Sequence, residues 1–200
     1  MKIKKIKVDL SKVQFKDKAS RHDYENGKIL EDAMIEQGFP IDQTGTVDLP
    51  NGIEVKTRSA NTKSNHTIGT MTIDKIIKTP WDETTFKQKL QRQYRVTIND
   101  DNHFTGKVTA KGEFVDLSAP EIQCHFEDAY EECRRQLTKQ IVTGVAITPR
   151  QTISGGQYGQ LEHKPAKKSL GKSFAWRIPP SGMKKILAKA NMLDKGFVFD

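Results

Sequence analysis

Residues 47–59, VDLPNGIEVKTRS, constrain this chain more than any other stretch. Pro50-Asn51-Gly52 is a tight-turn signal between alternating segments, which predicts a strand pair over 45–49 and 53–58. On the second strand Glu54 and Lys56 point one way, while Ile53 and Val55 point into packing. Asp48 closes the first strand, and a hairpin can bring its carboxylate close to that of Glu54. Two readings fit these letters. One is a solvated hairpin with ordinary surface charges. The other is a hard-oxygen site in which Asp48, Glu54 and the Val55 backbone carbonyl hold Mg2+ while Lys56 steadies charge on a phosphate oxygen.

The rest of the chain supplies the frame. A helix is expected from Tyr24 to Gln37, with Leu30, Ala33 and Met34 at helical spacing and Gly38 as its stop. The start, KIKKIKVDL, alternates like a half-exposed strand, as does HTIGTMTID after the polar loop SANTKSN. A short helix comes next, from about Asp82 to Gln91, with Phe86 and Leu90 on one face; YRVTI and FTGKVTAKGEFVDL read as strands. The longest helix is predicted over 119–141, its stripe being Ile122, Phe126, Tyr130, Cys133, Leu137 and Ile141. TPRQTISGGQYG reads as a loop, and the last helix carries Met183, Ile186, Leu187 and Ala190. Strands and helices mix without regular alternation, which points to an α/β fold with a mixed sheet flanked by helices.

Charge bears on partners. The 200 residues carry a net charge of +8, which favours a polyanionic partner. Cys124 and Cys133 lack metal-ligand spacing, argue against a disulfide scaffold or zinc finger, and suit a reducing compartment. No apolar run approaches a membrane span, so the expectation is a cytoplasmic protein of one domain, without a membrane partner.

Helix, acidic strand, turn, E-x-K strand and helix succeed one another in the order of the PD-(D/E)xK nuclease core. Four patches, GKILE, VDLPNGIEVKT, KSNHTIG and TPWDETTFKQKLQR, resemble the small DNA endonucleases grouped around the nicking enzyme MutH and the restriction enzymes MvaI and BcnI. YGQLEHKPAK and WRIPPSGMKKIL resemble later segments of the same enzymes, so the likeness is scattered over most of residues 25–190. The resemblance implies a restriction-endonuclease-like fold, with a catalytic core over about 20–120 and a long helix and DNA-recognition part over 121–200. It makes Asp48 and Glu54 the metal ligands, Lys56 the catalytic lysine, Glu31 the supporting helix acid and Lys89 a second lysine near the scissile phosphate. The spacing from Asp48 to Glu54 departs from MutH by one residue, and the region before the first helix is shorter.

From Lys164 to Asn191 there are cations at 164, 167, 168, 172, 177, 184, 185 and 189 and no acid. Such a one-sign block suits a phosphate-facing surface as well as a solvated basic face. The basic run nominates Lys164, Lys167, Lys168, Lys172 and Arg177 as DNA-binding, and the resemblance implies that His163, Lys164, Trp176 and Arg177 are recognition residues. Glu162 and His163 stand where MutH has Arg and Pro, so the MutH target sequence does not transfer. The acids Glu127, Asp128, Glu131 and Glu132 read as a solvated helix face, and Trp81, Phe126 and Tyr130 as core. The expectation is a Mg2+-dependent, sequence-specific endonuclease acting on double-stranded DNA as a monomer or homodimer, foremost a type II restriction enzyme. A MutH-like nickase and a non-catalytic DNA-binding module are the alternatives.

Overall fold

The computed structural model describes residues 4–16, 23–60, 62–99, 108–164, 172–192 and 197–199. They form a mixed α/β fold with two four-stranded sheets flanked by helices. The chain divides into two compact units, 1–63 with 91–116 and 191–200, and 64–90 with 117–190. Among the described residues, no helix is long and apolar enough to cross a membrane.

In the first unit, α1 (Asp23–Glu36) ends where Gly38 takes φ +86°, a conformation that favours glycine. The sheet runs β2 (Ile53–Ser59), β4 (Arg92–Asn99), β5 (Thr109–Asp116), β9 (Asn191–Met192). The β2–β4 ladder is parallel and the others are antiparallel, leaving β2 as an edge strand. Strand alternation gives this sheet two unlike faces. Ile53 and Val55 of β2, Tyr94 and Val96 of β4 and Phe114 of β5 join Leu30 and Met34 of α1 in one buried cluster. Tyr94 stacks on Phe114 with centroids 4.3 Å apart, and burial pushes its phenol pKa up to about 12. A Cβ on Gly112 would run into the Tyr94 phenol, so the strand needs glycine there. β1 (Lys4–Ile6) pairs antiparallel with β10 (Phe197–Phe199).

In the second unit the sheet order is β3 (His66–Thr72), β8 (Ser173–Ile178), β7 (Gln160–Lys164), β6 (Thr152–Ser154), antiparallel throughout. Around it are α2 (Ile73–Lys78), α3 (Thr85–Lys89), α4 (Pro120–Val142) and α5 (Pro180–Lys189). The stripe of α4 is buried from Ile122 to Leu137, whereas Ile141 at its last turn is 39% exposed. Trp81, Phe86, Phe126, Tyr130 and Trp176 are wholly or almost wholly buried and form one aromatic cluster, with centroids 5.6–6.3 Å apart. The Tyr130 hydroxyl donates to the carbonyls of Ile76 and Thr79, tying α4 to the end of α2.

Three expectations change. The first arm of the hairpin is no strand: residues 43–48 are bends, and only a Leu49–Ile53 bridge precedes β2. The expected helix over 82–91 is a 3-10 turn at Trp81–Glu83 and then α3, because Thr84 breaks the run and caps α3, accepting from the Lys87 N–H. The expected loop at 148–159 contains β6, whose Ile153 is buried.

Candidate active site

Pro50 to Gly52 form a single 3-10 turn that reverses the chain into β2, with Gly52 at φ +70°. The turn places Asp48 alongside the edge of β2, where its Oδ2 accepts the Val55 N–H at 2.7 Å. That bond satisfies an edge-strand donor and fixes the Asp48 carboxylate one residue from Glu54. Glu54 is buried, 1% exposed, and its Oε1 accepts Lys56 Nζ at 2.5 Å. The Lys56 side chain is 28% exposed, so the pair runs from a dry carboxylate to a wetter ammonium.

Glu31 reaches the same neighbourhood from α1. A Cβ on Gly27 would lie 3.6 Å from Thr57 Oγ1, so this side of α1 lies against β2, and Glu31 is one turn farther along it. Burial and then the Asp48 charge raise the Glu31 pKa above its ordinary value, against the fields of Lys28 and Lys56. Glu54 and Lys56 on the edge strand, Asp48 just before it and Glu31 on α1 thus all lie in the first unit, with Glu31 feeling the charges of Asp48 and Lys56.

The donor set suits a hard divalent cation. Asp48 and Glu54 offer carboxylate oxygens flanking Val55, and the Asp48 to Val55 bond fixes their spacing. Among the described residues, no group of three or more His, Cys, Asp or Glu is arranged as a metal centre. A site here would rest on two carboxylates, the Val55 carbonyl and water.

Other expected site residues lie in the second unit. Lys89 ends α3, half-buried; a Cβ on Gly69 would meet its Cδ at 3.4 Å. Lys164 is half-buried at the end of β7 and Lys172 is exposed, while Lys167 and Lys168 lie outside the described residues. His163 is 7% exposed, its Nδ1 2.9 Å from the Thr148 carbonyl and its ring against Phe174. Arg177 pairs with Glu162 at 3.0 Å, and the two are about equally half-buried. Trp176 is fully buried under the aromatic cluster, and a Cβ on Gly159 would strike its ring. This placement does not fit contact with a base edge for Trp176: its indole is core, and it supports β8 from within. His163 likewise faces the interior. The expected acidic face of α4 is solvent-directed at Glu127 and Asp128, while Glu131 and Glu132 pair with Arg134 and Arg135.

The charged alternation of β2 does not end at Lys56, where the sequence motif ends. Arg58 extends it to E-x-K-x-R, and RQYRVTI places Gln93 and Arg95 opposite it. These residues escaped the motif although period-two polarity marks both strands, because pairing them needs the parallel register. The chain matches no family model and, at a significant level, no curated protein.

Proposed function

We propose that this chain is a Mg2+-dependent endonuclease of double-stranded DNA with a PD-(D/E)xK-type catalytic edge and a restriction-endonuclease-like fold. One observation carries the reading: the Glu54–Lys56 pair on an edge strand, its carboxylate buried, with Asp48 held to the intervening Val55 N–H. Asp48 and Glu54 flanking Val55, with the Asp48 charge felt at Glu31, favour a cation, because like charges at close range oppose one another's ionisation. When bound, Mg2+ would lower the pKa of a water and offset charge on the phosphate. Asp48, Glu54 and the Val55 carbonyl would hold the metal. Lys56 would orient the attacking water or donate to a non-bridging phosphate oxygen, and Glu31 would tune the field at Asp48. Water oxygen forms the new bond to phosphorus as the bond to the 3′ oxygen breaks, leaving 5′-phosphate and 3′-hydroxyl ends. Lys89, Lys164, Lys167, Lys168, Lys172 and Arg177 are candidates for further DNA contacts. The setting in which such an enzyme would act is the cytoplasm, as a type II restriction enzyme.

Supercoiled plasmid incubated with Mg2+ tests the reading. The expected result is cleavage that Glu54→Gln and Lys56→Met each reduce on the order of a hundredfold or more, the usual cost of deleting one preorganised electrostatic group. Linear product indicates restriction-type cutting and persistent open circles indicate nicking. Undiminished cleavage by both variants refutes the site, and salt-sensitive binding without cleavage indicates a DNA-binding module.

A further inference from the structure

The last helix of the second unit, α5, has two unlike faces. Gly182, Met183 and Ile186 are buried. Ser181, Lys184, Lys185, Ala188 and Lys189 recur at helical spacing on the other side, and all five are exposed. That face carries three cations, and the helix contains no acid. Elsewhere in the chain, Lys28 of α1 pairs with Asp32, Lys87 of α3 with Asp82, and Arg134 and Arg135 of α4 with Glu131 and Glu132. Lys184 and Lys189 make no ion pair among the described residues. Lys185 and Lys189, four apart, repel one another, so the row does not arise from what stabilises a helix.

The loop between β6 and β7, GGQYG at 155–159, is pressed against this helix. A Cβ on Gly182 would lie 1.8 Å from the Gln157 carbonyl oxygen, and one on Gly155 would strike the Ala129 carbonyl of α4. Backbone approaches this close hold the loop in one place between the two helices. Gln157 is exposed there, and its Oε1 accepts Lys185 Nζ at 2.8 Å. With that oxygen engaged, the amide has two N–H donors left for another acceptor. Tyr158 stacks on His125 with centroids 4.4 Å apart and bounds the surface. Beyond the stack α4 exposes Glu121 and Asp128, one turn either side of His125, so an anion is favoured along α5 and not along α4.

The surface is a row of donors: three ammonium groups, the Gln157 amide and the Ser181 hydroxyl. It lacks the large apolar side chain that would enter a bilayer or anchor a protein interface. A DNA backbone needs no such anchor, because Lys, Ser and Gln side chains hydrogen-bond its phosphate oxygens directly. We propose that the lysine face of α5, with Gln157 beside it, binds the phosphate backbone of duplex DNA irrespective of base sequence. The inference rests on the endonuclease reading for the choice of DNA as the polyanion, but binding is tested without cleavage. Lys184, Lys185 and Lys189 neutralise phosphates, and Gln157 positions Lys185 and adds a neutral donor.

The experiment is fluorescence anisotropy of two labelled duplexes of unrelated sequence with the full chain in EDTA across a salt series, alongside thermal melts. Lys184→Gln and Lys189→Gln are each expected to weaken binding of both duplexes several-fold. Each should flatten the slope of log K against log salt by about 0.9, one phosphate contact apiece. Gln157→Glu keeps the shape and strengthens the bond to Lys185, so it should melt no lower than the parent yet bind DNA several-fold more weakly. Unchanged affinity and slope in the double lysine variant overturns the surface, as does weakening confined to one duplex. Should the lysine variants melt lower, Gln157→Glu decides, and parental binding by it overturns the surface. A parent that ignores DNA but sediments with phosphatidylserine–phosphatidylcholine vesicles overturns it in favour of a membrane. Normal binding by the variants of a chain that cleaves plasmid with Mg2+ sinks the surface alone. Binding lost in the variants of a chain that cleaves nothing supports the surface and sinks the endonuclease reading.

Discussion

The Glu54–Lys56 pair gives a prediction that separates architecture from chemistry. Lys56→Met preserves the stem and removes the ammonium, leaving a carboxylate that is 2% exposed without its 2.5 Å partner. A hydrogen bond to a charged group contributes about 1.5–3 kcal/mol, and breaking a fully buried ion pair costs about 3–5 kcal/mol. The Lys56 side chain is more than a quarter exposed, so solvent screens it and the lower range applies: a loss of about 2 kcal/mol. Glu54→Gln removes the charge that Lys56 serves, so in the double variant the Lys56→Met step should cost less than about 1 kcal/mol. The assay is urea unfolding of the parent, both single variants and the double variant, with a coupling of about 1–2 kcal/mol expected between the sites. Coupling indistinguishable from zero would refute the reasoning that Lys56 sustains a desolvated carboxylate. Cleavage measured well below the melting temperature of Lys56→Met then tells whether the lysine also acts on the phosphate.

Individual environments set further outcomes. Burial and Asp48 raise the folded-state pKa of Glu31 above its unfolded value near about 4.3. The protein is therefore most favoured, as far as Glu31 is concerned, below that unfolded value, and loses this contribution as pH rises through the folded value. Glu31→Gln should accordingly gain stability relative to the parent between about pH 4 and pH 7; thermal melts showing the same difference at both pH values would contradict this. Gly155→Ala places a methyl against the backbone carbonyl of Ala129, which cannot swing aside, and should cost about 2–3 kcal/mol in chemical unfolding. Cys133 is buried and its thiol pKa is pushed up to about 12, whereas Cys124 is exposed. Iodoacetamide should therefore modify Cys124 in the native chain and reach Cys133 only on unfolding, read by peptide mass.

Patterns confined to one element are legible in the letters. The α1 stop at Gly38, the α4 stripe and the strand at 66–72 each arise from local periodicity or a residue with one conformational use. The E-x-K alternation is equally readable, because a strand fixes which side chains share a face. α2 is not: IDKIIK is too short for periodicity to speak, and the packing of Ile76, fully buried, defines it. Trp176 misleads because an aromatic in a basic run looks the same in sequence whether its ring faces solvent or core.

Local periodicity thus settles elements, and composition settles a basic chain with two cysteines lacking metal-ligand spacing. The pairing of β2 with β4 is of another kind. It joins segments far apart in the chain, and no spacing rule links Lys56 to Arg95 or Arg58 to the strand beside it. Nor does the hairpin motif reveal that its first arm collapses to one bridge, with the Asp48 carboxylate itself capping the edge of β2. Those placements arise from long-range hydrogen bonding and from burial of the apolar sheet face against α1, energies that act between segments and leave no mark within either one.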